Sequence, residues 1–257
     1  MKFTLNYFSL QKLGNEEADY EDAFEPKRSG IIERSILSLA IADGATESSF
    51  ASDWAKMLTR DFVRKPYSTI EVLKNRTRIL SRDWHKVVNG KPLPWFIEEK
   101  IRLGAFTTFL GVRLTSFSKD TKQSGKWSAI AIGDSCIFQI RDDNLVYSFP
   151  ISNSEEFTRT PALLSTNLNQ NLILWKNKLV KCCSKRDWRT GDFFILATDA
   201  LACWFLTQYE NNDKPWNTLL KFTKDPSPSN SFQTWIDEVR RSCLLKNDDV
   251  TLLILRL

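Results

Sequence analysis

Histidine is almost absent from this chain: His85 stands alone among 257 residues, in a basic stretch away from any motif. It reads as a surface or packing residue, so serine–histidine and cysteine–histidine mechanisms lack a supported base. Acid–base work near neutral pH then falls to carboxylates, to metal-activated water, or to both. Cysteine is sparse and unpatterned. Cys136, Cys182, Cys183, Cys203 and Cys243 are odd in number, form no C-x-x-C pair, and mostly sit in apolar contexts. Reduced, buried thiols are expected, rather than disulfides or a zinc site. No apolar run reaches the roughly 20 residues that cross a bilayer. The N-terminal stretch has neither a long apolar core nor a small-residue cleavage site, so no signal peptide is expected. A cytoplasmic protein without a membrane partner is the expectation. Repeats and low-complexity tracts are also missing. The net charge of +5 is spread along the chain. Its basic clusters, at 60–65 and Lys181–Arg189, are short, and aromatics do not interleave with them as a stacking platform would require. They read as solvated faces, and no nucleic-acid partner is expected.

With 42% hydrophobic and 26% charged residues, the composition is that of a globular protein, and the length suits one domain over 1–257 with a sizeable core. Apolar runs predict strands at 35–42, 107–114, 127–132, 193–198 and 250–257, with shorter ones at 3–10, 136–141 and 145–149. The polar tripeptide 142–144 reads as a hairpin turn. Ala51, Trp54, Ala55, Leu58 and Phe62 share one helical face, with Ser48 or Ser49 available as a cap. Ile70, Leu73, Leu80, Trp84 and Val87 mark a second helix; a third begins at Leu201, Trp204 and Phe205, and a fourth spans 232–239. Many strands with helices inserted in pairs predict an α+β protein, a two-sheet sandwich flanked by helices.

The aspartates fall at strand ends. The first strong strand runs into Asp43-Gly44, the 127–132 strand into Gly133-Asp134-Ser135, and the 193–198 strand into Asp199; Asp248-Asp249 directly precedes the last strand. Singly, each reads as a turn or helix cap. Together, on adjacent strands, they converge on one edge of a sandwich. Clustered carboxylates repel unless a positive charge sits among them. An oxygen-only donor set, without histidine or thiolate, points to Mg²⁺ or Mn²⁺. Gly44 lets its carbonyl approach a cation closely.

The ordered set Glu21-Asp22, Ala42-Asp43-Gly44, GAFTT at 104–108, Gly133-Asp134-Ser135, Gly191-Asp192, Thr198-Asp199 and Asp248-Asp249-Val250-Thr251 resembles the metal-dependent protein phosphatases of type 2C, in particular small bacterial members. The resemblance runs from about Gly14 to the C-terminus. It implies a four-layer α-β-β-α sandwich of antiparallel sheets with a binuclear metal centre at its edge. In that scheme Asp43 bridges two metals, the Gly44 carbonyl binds one of them, Asp199 and Asp248 complete the coordination of the second metal, and Glu21 and Asp22 hold metal-bound waters. The implied activity is hydrolysis of phosphoserine or phosphothreonine by metal-activated water, on a phosphorylated protein and opposite a cognate Ser/Thr kinase. Departures are specific. Glu17 replaces the arginine that usually contacts phosphate; Lys12, Lys27, Arg28 and Arg34 are alternative grips among which the sequence does not choose. Leu103 and Cys203 stand where acidic residues often serve a third metal, leaving Asp134 as its candidate ligand. Ala45 and Ala200 replace a histidine found in some members and a usual glycine. These departures motivate an alternative, a pseudophosphatase that binds a phosphoprotein or kinase without turnover. A hydrolase of small phosphorylated metabolites is a third reading.

Overall fold

The last strand shows why the chain becomes a sandwich. In the computed structural model, which describes residues 2–46, 48–89, 100–117 and 124–257, β13 (Val250–Arg256) is buried almost throughout. Leu252 and Ile254 face one core, while Leu253 and Leu255 face another. Alternation by two along an uninterrupted apolar run buries both faces of the strand. β12 (Phe193–Ala197) follows the same rule, with Ile195 on one side and Phe194 and Leu196 on the other.

The remaining strands are β1 (Lys2–Leu10), β2 (Ala23–Glu25), β3 (Gly30–Glu33), β4 (Ile36–Ala42), β5 (Phe106–Thr107), β6 (Phe109–Ser116), β7 (Ser124–Ile132), β8 (Cys136–Arg141), β9 (Asn144–Phe149), β10 (Leu164–Ser165) and β11 (Lys181–Arg189). They form a six-stranded sheet ordered β3-β1-β13-β12-β8-β9 and a five-stranded sheet ordered β11-β7-β6-β4-β2, with a small β10-β5 pair beside them. Each described pairing is antiparallel. Helices α1 (Ala51–Arg64) and α2 (Ile70–Asn89) pack on the outer face of the five-stranded sheet, through Trp54, Leu58, Phe62 and Trp84. A short α3 (Leu172–Lys176) precedes β11. Helices α4 (Asp199–Glu210), α5 (Pro215–Phe222) and α6 (Pro228–Arg241) cover the six-stranded sheet, with Phe205, Trp216, Leu219 and Ile236 inside. The protein is therefore an α-β-β-α sandwich with antiparallel sheets, as predicted.

Several local expectations are corrected. Lys181–Arg189 is not merely a solvated basic face: it is the edge strand β11, anchored by inward Cys183 and Trp188, with a register shift between Cys183 and Arg186. Helix α1 is not capped by Ser48 or Ser49. Its N-cap is Phe50, in the left-handed region, and the Ser48 hydroxyl donates to the Ala45 carbonyl and accepts from the Phe106 N–H. Only Cys136 and Cys183 are buried; Cys182 and Cys243 are exposed, and all five thiols are free. Among the described residues no helix is long and apolar enough to cross a membrane.

Candidate metal centre

Asp43 follows the C-terminal end of β4, and its backbone is held from two sides. Its N–H donates to the Thr108 hydroxyl (3.0 Å), and its carbonyl accepts from the Thr108 N–H (2.9 Å) and the Thr107 hydroxyl (2.6 Å). Thr108 in turn meets the Ser135 hydroxyl at 3.0 Å. The GAFTT segment and the Gly133-Asp134-Ser135 turn thus lock one carboxylate in place, a cooperation that neither motif signals alone. Gly44 has a second role besides exposing its carbonyl. A Cβ there would lie 2.8 Å from the Glu21 carbonyl and 3.1 Å from the Ala51 Cβ, so the glycine lets the Glu21 loop close against the start of α1.

Asp22 is buried between the sheets' ends. Its Oδ2 accepts from the hydroxyls of Thr198 (3.0 Å) and Thr251 (2.7 Å), while its Oδ1 has no hydrogen-bond partner. Asp249 stitches the N-terminal loop to β13: its Oδ1 accepts from the Lys12 N–H (2.9 Å) and its Oδ2 from the Glu21 N–H (2.6 Å). Sequence reasoning assigned roles to neither Asp249 nor the two threonines. The available signal was period two, which puts Asp249 and Thr251 on one face of the last strand. Asp199 begins α4, where the helix N-terminus favours negative charge, and its Oδ1 accepts from the Ala200 N–H at 2.6 Å. Lys246 was also missed. Its ammonium lies 3.3 Å from Asp199 Oδ2 and 2.5 Å from Asp248 Oδ2, bridging two of the expected ligands.

These groups act on one another strongly. Burial, then the charges of Asp22, Asp199, Asp248 and Asp134, push the Asp43 carboxyl well above the usual range. Asp22 is also raised well above it, by burial first and against the pull of its threonine bonds. Burial and then Asp199 lift Asp134 to about 7. Burial raises Asp199 against the opposing pull of Lys246, and it raises Glu21 as well. The structure therefore brings together every residue expected at the site: Glu21, Asp22, Asp43, Gly44, Asp134, Asp199 and Asp248. Asp192 belongs elsewhere. At the far end of β12 its carboxylate accepts two 2.7 Å bonds from Arg141 and one from Gln139.

The donor set fits hard cations. It consists of carboxylate and carbonyl oxygens, and the Oδ1 atoms of Asp22 and Asp134 are buried without hydrogen-bond partners. Among the described residues no three His, Cys, Asp or Glu side chains form a ready cage.

No family profile and no curated protein sequence matches this chain. Solved structures do. A bacterial serine phosphatase aligns over 97% of this chain and 96% of its own, at 13% identity and a TM-score of 0.52. A singly substituted bacterial serine phosphatase aligns over the same shares at 14% identity and 0.54. RsbX in complex with magnesium aligns over 100% and 96% at 13% identity and 0.49. The first two share this fold over almost the whole chain: it is the fold of the type 2C protein phosphatases.

Proposed function

We propose that the chain is a metal-dependent phosphatase acting on phosphoserine or phosphothreonine in a protein, with Mg²⁺ or Mn²⁺ at a two-ion site. One observation carries this reading: the carboxylates of Asp22 before β2, Asp134 in the β7–β8 turn, Asp199 at the start of α4 and Asp248 ahead of β13 converge on Asp43, whose proton affinity burial and then their charges raise. Such a cluster is unfavourable without cations and gains sense with them. Asp43 and the Gly44 carbonyl would hold one ion, Asp43 with Asp199 and Asp248 the other, and Glu21 and Asp22 their waters. When bound, the pair supplies an activated water near neutral pH and offsets charge on the phosphoryl oxygens. The protein's own groups orient and position. The Thr107 and Thr108 bonds fix Asp43, and Asp249 fixes the Glu21 loop. Among the four alternative phosphate grips, Lys12 is the one at the site. It lines a depression of about 550 Å³ together with Glu21 and Thr46, and its ammonium donates to the Thr46 hydroxyl at 3.3 Å. Arg28 and Arg34 line a separate cavity with Ile32 and Arg113, and Lys27 lies over the Phe24 ring. Asp134 is the candidate ligand of a third ion. A cytoplasmic location and a cognate kinase belong to the same proposal.

Hydrolysis of p-nitrophenyl phosphate and a phosphothreonine peptide, with Mn²⁺ and with chelator, tests it. Metal-dependent turnover of both is expected; folded protein with no such turnover overturns the enzyme. A second reading, a non-catalytic phosphoprotein-binding relative, is favoured by Lys246, which already engages Asp199 and Asp248. Peptide binding without turnover in that assay would select it.

A further inference from the structure

A second concavity lies apart from the carboxylate site. It is an open cleft of about 900 Å³ between α2 and the loop after β10. Arg78, Arg82, Lys86 and Arg102 line it, His85 stands in its wall, and among the described residues no acidic one lines it. Arg78 reaches the Asn75 amide oxygen, and Lys86 reaches Asp83 on its own helix. Among the described residues the side chains of Arg82 and Arg102 meet no carboxylate. On β11, by contrast, both arginines are already engaged: Arg189 with Asp142, and Arg186 over the Tyr147 ring. Four like charges around one concavity create a field that draws polyanions.

The cleft has a built floor. Ser81 donates to the Thr166 carbonyl at 2.6 Å, the Thr166 hydroxyl accepts from the Ala105 N–H, and the Asn167 amide donates to the Arg102 carbonyl. Its surroundings are partly apolar. Leu168 lines it at 40% exposure, and Leu103 and Val87 are exposed beside Arg102 and Lys86. Trp84, the aromatic neighbour of His85, is fully buried. Aliphatic contacts beside basic groups suit the apolar side chains of a peptide better than bases, which stack on aromatic faces. The cleft also neighbours the site: the His85 ring meets Trp84 at 5.0 Å, Trp84 meets Phe50 at 6.4 Å, and Phe50 lines the depression that holds Lys12 and Glu21.

We propose that this cleft docks an acidic peptide segment, rich in Asp and Glu with interspersed apolar side chains, of a partner protein. That the segment flanks the phosphoresidue of a substrate rests on the phosphatase reading; the cleft's preference for acidic peptide does not.

Fluorescence anisotropy tests the proposal, using a labelled, unphosphorylated Asp/Glu/Leu peptide of roughly 15 residues and its Asn/Ser/Leu counterpart. Wild-type protein is expected to bind the acidic peptide at least about ten-fold more tightly than the neutral one at low salt. The Arg82→Glu/Arg102→Glu variant, with both changes at exposed positions, is expected to lose that preference while keeping its p-nitrophenyl phosphate turnover. Equal binding of the two peptides, or a preference that survives in the variant, overturns the proposal. So does tighter, variant-sensitive binding of a single-stranded oligonucleotide or of phosphatidylserine vesicles. Loss of metal-dependent turnover in the wild type overturns the phosphatase instead, and the peptide result stands on its own.

Discussion

Lys246 and Asp199 show how much turns on single side chains. Lys246 is mostly exposed, so its pairing with Asp199 and Asp248 contributes only about 0–1 kcal/mol to folding. Its larger effect is local, because a cation already placed between two proposed ligands must be displaced before a divalent ion binds there. Lys246→Met is therefore expected to lower the melting temperature of chelated protein slightly and to tighten Mn²⁺ binding, as read by titration calorimetry. Unchanged affinity would show that the ammonium does not compete. Asp199→Asn removes a ligand and a repelling charge together. It should cut metal-dependent turnover by at least about 100-fold while the chelated protein melts no lower than wild type. Retained activity would refute the centre.

Elements place these residues, and two glycine and aspartate positions expose how. The Glu21 loop and the start of α1 meet across Gly44, where a Cβ would fall 2.8 Å from the Glu21 carbonyl. Gly44→Ala must push them apart, and overpacking of this kind costs about 1–3 kcal/mol. Weaker metal binding at a modest loss of stability is the expected signature, measured by calorimetry and thermal melting. Asp192 acts at the opposite end of β12, tying β8 to the turn after β11. The side chain is fully buried and bonded to Arg141 and Gln139. Asp192→Ala strips the part-buried Arg141 of its carboxylate and the Arg189 N–H of its acceptor, while Gln139 keeps the Asp187 carbonyl; it is expected to destabilise by about 3 kcal/mol in urea denaturation, with the metal affinity of the folded fraction unchanged. Although Gly191-Asp192 belongs to the family-like pattern, its physical role here is structural.

At the scale of the molecule, the carboxylate edge links stability to pH. Asp22, Asp43, Asp134 and Asp199 all hold protons more tightly folded than in the unfolded chain, where aspartate titrates near ~3.9. Their contribution is full below that range and is lost as pH rises through the folded values, about 7 for Asp134. Metal-free protein is thus expected to melt several degrees lower at about pH 8 than at about pH 6, and saturating Mg²⁺ should flatten the slope. A metal-free profile that rises with pH would contradict the cluster.

The sequence by itself determined the sandwich and pointed to the carboxylates that gather at its edge. Runs such as 252–255 are apolar at every position because both faces are buried, and a strand's end is where a charged residue first becomes tolerable. Asp43, Asp199 and Asp248 therefore stood out against the apolar runs beside them. Short or polar elements did not. β2, β3 and β10 have too few residues to show a period, and β11 hides two inward anchors among exposed basic residues. Tertiary structure alone decided which polar groups meet across long separations: Asp249 with Lys12 and Glu21, Thr198 and Thr251 with Asp22, and Lys246 with the ligands beside it. Such bonds depend on which strands become neighbours, and no local pattern encodes that.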